Sequence, residues 1–169
     1  GDNGTDSPVV TSFNGENIRG GKGKMDDSGT LVPLIVYGPS TVAAGVVTDE
    51  IVDFADFLPT FCDIAETLLP EDHPRDGVSL WGTFQGLPGR DKPYAYIWYS
   101  PHGETEKAKV YARNKTRMLR RRGSEAELEY FDSARPFTLT SIDISNLDSE
   151  ETARFEGLLE VITKHDKIR

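Results

Sequence analysis

The chain has 169 residues, with 28 acidic against 19 basic side chains and a formal net charge of -9. Hydrophobic residues make up 37% of it and charged residues 28%, which is typical of a globular domain and excludes global disorder. The acidic balance argues against a nucleic-acid partner. No apolar run approaches the ~20 residues that a membrane-spanning helix needs. A single cysteine, Cys62, excludes a cysteine-based zinc site, so a bound metal would need oxygen ligands.

The first half of the chain predicts few regular elements. Residues 1–30 are rich in glycine and small polar side chains, which predicts a loop. Residues 31–38 form a continuous apolar run ending at a glycine, which predicts a strand buried on both faces, as in a parallel sheet. Apolar residues then recur at steps of three and four, which predicts an amphipathic helix over residues 53–68 with Asp53 as its N-cap. Closely spaced prolines and glycines predict a loop over residues 70–92.

The second half predicts a small antiparallel sheet followed by a helix. Strand-like runs alternate with turn residues at 94–99, 110–113, 116–121 and 128–131. A tight turn at Asn114-Lys115 joins the second run to the third. A capping pattern at Asp148 precedes apolar residues at helical spacing, which predicts a terminal helix.

These elements divide the chain into two predicted parts. Residues 1–92 read as a βα piece of a large mixed α/β sheet, and residues 93–169 as an antiparallel subdomain with a C-terminal helix. One buried strand and one helix cannot close an α/β domain. We therefore expect the first part to lack packing partners, and we expect either self-association or disorder in residues 1–30.

Three short motifs carry side chains suited to chemistry. Asp2-Asn3 places a carboxylate beside an amide oxygen, the ligands that Ca²⁺ and Mg²⁺ prefer, although Asp-Asn-Gly is also a good turn. Lys22 lies in a Gly-Gly-Lys-Gly stretch, where glycines let the backbone approach an anion and the lysine supplies positive charge. Such a stretch is also typical of a flexible loop. His102 follows a predicted strand and is either a substrate contact or an ordinary surface histidine.

The order of the motifs is more specific than any one of them. In chain order the sequence contains Asp2-Asn3-Gly4-Thr5, Gly20-Gly21-Lys22-Gly23, Val32-Pro33-Leu34-Ile35-Val36, Val52-Asp53, Leu58-Pro59-Thr60, Asp76-Gly77-Val78-Ser79-Leu80, Tyr111-Ala112-Arg113 and Tyr130-Phe131-Asp132. This succession resembles the C-terminal part of the type I sulfatases, the arylsulfatase-like branch of the alkaline-phosphatase superfamily.

The resemblance implies a fold, a reaction and site residues. The fold would be a fragment of the α/β alkaline-phosphatase-like architecture. The parent enzyme would be a sulfuric ester hydrolase acting on sulfate esters, with sulfated carbohydrates as one substrate class. Asp2 and Asn3 match the family's divalent metal ligands, for Ca²⁺ rather than Mg²⁺. Lys22 matches its catalytic, sulfate-contacting lysine, and His102 would add a substrate contact. Relatives are commonly exported, so a periplasmic or extracellular parent is expected.

The sequence departs from the family at the nucleophile. These enzymes convert the first residue of Cys/Ser-x-Pro-x-Arg to formylglycine, and no such motif occurs here. Cys62 is followed by Asp-Ile-Ala-Glu and reads as an inert, buried helix residue. The chain is therefore interpreted as a C-terminal fragment that is inactive alone and whose partner is a missing N-terminal part of the same protein.

Two alternatives stay open. A phosphonate or phosphate ester hydrolase of the same superfamily would use related metal and lysine geometry. A non-catalytic module that binds anionic glycans would use the basic run at residues 107–122, which holds eight basic residues and one tight turn. The plainer interpretation of that run is a solvated strand face, or arginines paired with the protein's own acids.

Overall fold

A computed structural model describes residues 1–71 and 76–166 of the chain. The chain divides into two compact units. The first consists of Gly1–Leu34 together with Tyr96–Arg169, and the second of Ile35–Ala95. The amino-terminal residues thus fold with the C-terminal sheet. Among the described residues, no helix combines the length and apolar character needed to cross a membrane.

A five-stranded sheet forms the centre of the first unit. Its strands are β3 (Ala95–Tyr99), β4 (Lys109–Arg113), β5 (Arg117–Arg122), β6 (Glu129–Asp132) and β7 (Thr140–Ile142), in that spatial order. The β4–β5, β5–β6 and β6–β7 pairs are antiparallel. This confirms the antiparallel sheet, including the turn at Asn114, whose side chain accepts hydrogen bonds from the Thr116 and Arg117 backbones. The three-residue β7 was not predicted, because so short a run shows no period.

The terminal helix covers one face of this sheet. It spans Ser149–Asp166 (α4 below), and the Asp148 carboxylate caps it by accepting a hydrogen bond from the Glu151 backbone at 2.8 Å. The Tyr130 ring meets Phe155 edge to face at 5.3 Å between centroids. α4 packs against β4 and β5. The predicted terminal helix is confirmed.

The amino-terminal residues hold more structure than the predicted loop over 1–30. A hairpin pairs β1 (Val10–Phe13) with β2 (Glu16–Arg19), and a short helix, α1, spans Asp27–Thr30. The two turn residues, Asn14 and Gly15, both have positive φ, 51° and 82°. A turn with two positive φ angles matches the right-handed twist of paired strands, and Asn-Gly is the sequence that favours it.

The second unit contains two helices and long connections. The predicted helix over 53–68 begins where expected: the Asp53 side chain accepts a hydrogen bond from the Ala55 backbone and caps a 3-10 turn that leads into α2 (Phe57–Ile64). The helix ends at Ile64, four residues early. A further short helix, α3, spans Trp81–Phe84 within the predicted loop over 70–92. Residues 72–75 of that loop lie outside the described residues.

The strand predicted at residues 31–38 is not formed. These residues pair with no strand in the described part of the chain, and Ile35 and Tyr37 are each 87% exposed. A strand is stabilised by ladder hydrogen bonds to a neighbour, so an apolar run without a neighbour stays extended and irregular. The expectation that residues 1–92 lack packing partners is wrong for residues 1–34, which fold with the C-terminal sheet.

A buried ionic cluster connects the elements of the second unit. The Asp56 side chain is fully buried and contacts Arg90 at 2.6 Å and Lys92 at 2.7 Å, both of which are also buried. The same carboxylate accepts hydrogen bonds from the backbone of Val78 at 2.8 Å and of Asp53 at 2.9 Å. The cluster therefore holds the start of α2 against residues 78–92.

We expect the stability of the first unit to fall in acid because of Glu151. Arg117 donates two hydrogen bonds to the Glu151 carboxylate, at 2.5 and 2.8 Å, and this contact lowers the pKa of Glu151 from 4.5 to about 2. A carboxyl with a depressed folded-state pKa stabilises the fold above its unfolded value, and that contribution is lost as pH falls from about 4.5 toward 2. Glu151→Gln should flatten this part of the curve of urea midpoint against pH. Glu160→Gln, an exposed site on the same helix, should leave it unchanged.

Candidate functional site

The fold brings the Asp-Asn-Gly and Gly-Gly-Lys-Gly motifs side by side. The Lys22 backbone N–H donates a hydrogen bond to the Thr5 carbonyl at 3.0 Å, and the Gly20 N–H donates to the Val9 carbonyl at 2.8 Å. These bonds extend the β1–β2 pairing toward the two motifs. Asp2 and Lys22 therefore lie on adjacent segments, although the hairpin separates them in sequence.

Glycine is required where these segments meet. A Cβ on Gly4 would lie 2.1 Å from the Ser28 carbonyl oxygen, and one on Gly20 would lie 2.2 Å from the Asp6 carbonyl oxygen. Both distances are far below van der Waals contact with backbone atoms that cannot swing away. The glycines of both motifs thus allow close backbone packing. The sequence alone indicates a turn for the first motif and approach of an anion for the second.

Asp2, Asn3 and Lys22 all present exposed side chains. The Asn3 amide nitrogen donates a long hydrogen bond to the Asp2 carboxylate at 3.4 Å, which leaves the Asn3 amide oxygen as an acceptor. One carboxylate and one amide oxygen fit a hard cation, but such a cation takes six to eight oxygens. The described residues contain no cluster of three or more histidine, cysteine or acidic side chains that could hold a metal. Asp2 and Asn3 therefore fit as two members of a larger ligand set for such a cation.

The segment after Lys22 is held on the sheet face opposite α4. We define residues 25–30 as the anchor segment. Arg120, itself buried, donates to the Met25 carbonyl at 3.1 Å, and the Tyr111 hydroxyl donates to Thr30 Oγ1 at 2.9 Å. Burial raises the pKa of Tyr111 to about 12, so its hydroxyl stays protonated and remains a donor. Met25 packs with Tyr111, Met118 and Phe131 in a buried apolar cluster.

Asp27 and Arg113 form an ion pair that the sequence analysis did not single out. The Asp27 side chain is 2% exposed, and it accepts hydrogen bonds from the Arg113 guanidinium and, at 2.9 Å, from the Phe137 backbone. The two residues are 86 positions apart, so no local pattern links them. In the sequence, only the Tyr111-Ala112-Arg113 motif points to Arg113, and that motif does not indicate which acidic residue Arg113 binds.

His102 lies apart from these contacts. It sits in a 3-10 turn, Pro101–Gly103, between β3 and β4, is exposed, and has a left-handed backbone with φ 57°. Within residues 1–71 and 76–166, no hydrogen bond or ion pair links its side chain to Asp2, Asn3 or Lys22. Its substrate contact stays a prediction.

The basic run at residues 107–122 is largely paired with the chain's own acids. Arg117 binds Glu151, Arg120 binds Glu129 at 2.9 Å, and Arg121 binds Asp166 at 3.0 Å. Arg122 also contacts Glu129, and Lys107 contacts Glu104. Of the two interpretations left open for this run, the structure favours internal pairing over a free cationic face.

Cys62 is buried within α2 and makes no disulfide. The interpretation of Cys62 as a buried helix residue is confirmed. The α2 surface around it is unusual, because it buries Pro59, Thr60 and Cys62 and exposes Leu58 and Phe61 at 54% and 61%.

Three curated proteins are similar to part of this chain. An arylsulfatase of Hemicentrotus pulcherrimus is 36% identical over 82 residues, which is 48% of this chain and 14% of that protein. An ulvan-active sulfatase of Formosa agariphila is 33% identical over 76 residues, or 45% of this chain and 15% of its own length. Mouse arylsulfatase J is 34% identical over 71 residues, or 41% of this chain and 12% of its own. These similarities confirm the resemblance to sulfatases, and each spans less than a sixth of the relative.

No family model matches the chain. Among solved structures, a candidate sulfatase from Bacteroides thetaiotaomicron is similar with a TM-score of 0.48 and 21% identity, over 66% of this chain and 24% of that one.

Proposed function

Because the chain is sulfatase-like, we propose that it is the C-terminal part of an enzyme that hydrolyses sulfate esters to an alcohol and sulfate. The observation that supports this most directly is the hydrogen bond from Lys22 to Thr5, since it sets the lysine motif beside the Asp2-Asn3 motif. The side chains of Asp2, Asn3 and Lys22 are exposed and can therefore contact a substrate. A sulfated carbohydrate is the substrate class we propose, in keeping with the name of the ulvan-active relative.

The proposed roles follow from the charge of the reaction. Sulfuryl transfer spreads negative charge over the non-bridging oxygens, and a fixed ammonium group can balance it. Lys22 would contact such an oxygen. The hydrogen bond from its backbone N–H to the Thr5 carbonyl fixes the position of the backbone from which the side chain extends. Asp2 and Asn3 would contribute two oxygens to a divalent cation, for which we propose Ca²⁺ rather than Mg²⁺. When bound, that cation supplies Lewis-acid stabilisation of the transferring group.

The nucleophile is proposed to lie elsewhere in the parent protein. The 169 residues contain no Cys/Ser-x-Pro-x-Arg, so a formylglycine would be carried by further polypeptide. We propose that this polypeptide also supplies the remaining metal ligands and covers the apolar residues exposed in the second unit. An exported parent is part of the same proposal.

The proposal is tested with the longest natural reading frame that contains these residues. We expect it to hydrolyse an aryl sulfate faster than the matching aryl phosphate or phosphonate, and to lose that activity when divalent ions are chelated. Preference for the phosphorus ester would replace the proposal with the phosphonate or phosphate ester hydrolase. The 169-residue chain alone should show no turnover, so activity of the purified chain would contradict the placement of the nucleophile.

A glycan-binding module without catalysis receives less support. Its ligand would need free positive charge on the strands, whereas Arg117, Arg120 and Arg121 are engaged by carboxylates. Binding of the 169-residue chain to a sulfated glycan, weakened by salt and by neutralising Arg120–Arg122, would restore that candidate.

A further inference from the structure

We propose that Asp27 and Arg113 are positioning residues that hold the Asp2-Asn3 and Lys22 motifs in register with each other. The inference rests on the proposed function for its chemical meaning. The structural part, which concerns only how the two motifs are held, stands on contacts within the first unit.

Both motifs are tied to α1. The Gly4 N–H donates to the Gly29 carbonyl at 2.8 Å, which ties the segment next to Asn3 to this short helix. On the other side, a Cβ on Gly21 would lie 1.8 Å from Ser28 Oγ, so the residue preceding Lys22 lies directly against α1 as well. A shift of α1 would therefore displace both motifs.

A four-residue helix cannot fix its own position. Helices this short are marginal in water, and α1 has only its Asp26 cap and its tertiary contacts to hold it. Asp27, the first residue of α1, is buried and carries a charge that must be balanced. Arg113 supplies that balance from β4, so the ion pair connects the helix to the rigid sheet.

Two further hydrogen bonds hold the anchor segment, and both are accepted by neutral groups of that segment. Two guanidinium nitrogens of Arg120 donate to the Glu129 carboxylate, at 2.9 and 3.2 Å, and the third donates to the Met25 carbonyl. The Tyr111 contact is a single neutral hydrogen bond. Removing a partner from a buried charge costs more than losing a neutral bond, so the Asp27–Arg113 pair is the contact expected to dominate.

The test is amide hydrogen exchange in the 169-residue chain. Asp27→Asn should speed exchange of the Gly4 and Lys22 amides about tenfold or more while the amides of β5 keep their rates. Arg113→Lys should act in the same direction, because lysine keeps the charge but loses the planar fork. Asp166→Asn, which breaks the more exposed ion pair to Arg121, is the matched control and should leave Gly4 and Lys22 unchanged.

Two outcomes would overturn the inference: unchanged exchange at Gly4 and Lys22, or equal acceleration throughout the sheet, which would indicate a general loss of stability. If Asp27→Asn fails to fold, Arg113→Lys decides. In the longer reading frame the same variants should lower kcat for an aryl sulfate more than they raise KM. Faster amide exchange with unchanged turnover would support the structural role of Asp27 and Arg113. The same result would contradict the proposed chemistry of Lys22.

Discussion

Replacing Lys22 with alanine is expected to lower kcat for aryl sulfate hydrolysis by about 100-fold or more in the longest natural reading frame. The reason is that a positioned ammonium acts on charge that develops in the transition state, and removing one such group typically costs that much. Binding of the ground-state substrate should change less, so the loss should appear mainly in kcat. Steady-state kinetics over a range of substrate concentrations separates the two parameters.

Lys24→Ala is the matched control for this prediction. Lys24 lies two residues further along the same glycine-rich stretch and is exposed like Lys22, so both variants remove one surface cation. Exposed substitutions of this kind change stability by about 0.5 kcal/mol or less, and the thermal midpoint should confirm that both variants fold. Equal activity losses in the two variants would indicate a general charge effect and contradict a specific role for Lys22.

Asp56→Asn is expected to destabilise the second unit by about 3 kcal/mol, because it removes the buried carboxylate that Arg90 and Lys92 share. Lys92 then keeps Asp53 at 2.9 Å, whereas Arg90 keeps the longer contact to Glu50 at 3.7 Å. The loss should appear as a lower urea midpoint. The chain has two tryptophans, and only Trp81 lies in the second unit. Its fluorescence, recorded in a Trp98→Phe background, reports on this unit alone.

The control for that variant is Asp63→Asn, which lies in α2 and is exposed. It removes the same charge without taking a carboxylate away from a buried cation, so its effect on the free energy of unfolding should stay within about 0.5 kcal/mol. A small effect of Asp56→Asn would mean that Glu50 and Asp53 are sufficient to balance Arg90 and Lys92, and that the Asp56 carboxylate does not hold α2 in place.

Local patterns predicted the C-terminal elements well and the amino-terminal ones poorly. The turn at Asn114 and the cap at Asp148 are formed by residues within four positions of each other, so the sequence contains the whole interaction. The hairpin at Asn14-Gly15 carries an equally local signal, which the polar composition of residues 1–30 obscured. The run at 31–38 failed for another reason: a strand depends on a neighbour that no local pattern specifies.

The helix that follows Asp53 is formed as predicted, but it buries a different face from the one that its apolar spacing indicates. Its apolar residues follow helical spacing, yet Leu58 and Phe61 are exposed, while Asp56 and Thr60 face the buried side. The polar residues are buried because they satisfy backbone groups: Thr60 Oγ1 accepts from the Leu80 N–H at 2.8 Å. Periodicity cannot show which of two faces is covered within a given polypeptide.

The candidate site was predictable only in part. The motifs containing Asp2, Asn3 and Lys22 could be found from their residue types and order, and their adjacency comes from the fold. Asp27 and Arg113 could not be found, since an ion pair between residues 86 positions apart depends on the packing of the whole unit.

The β1–β2 hairpin makes the distance between the two motifs independent of the number of residues that separate them. Its base is closed by the bond from Gly20 to Val9, and its tip at Gly15 has open space around it. Residues added at the turn would lengthen the hairpin beyond Phe13 and Glu16, which contact Phe137 and Arg135, without moving its base. Related sequences can therefore differ widely in this interval and still bring the same groups together, and a motif search with a rigid gap would overlook them.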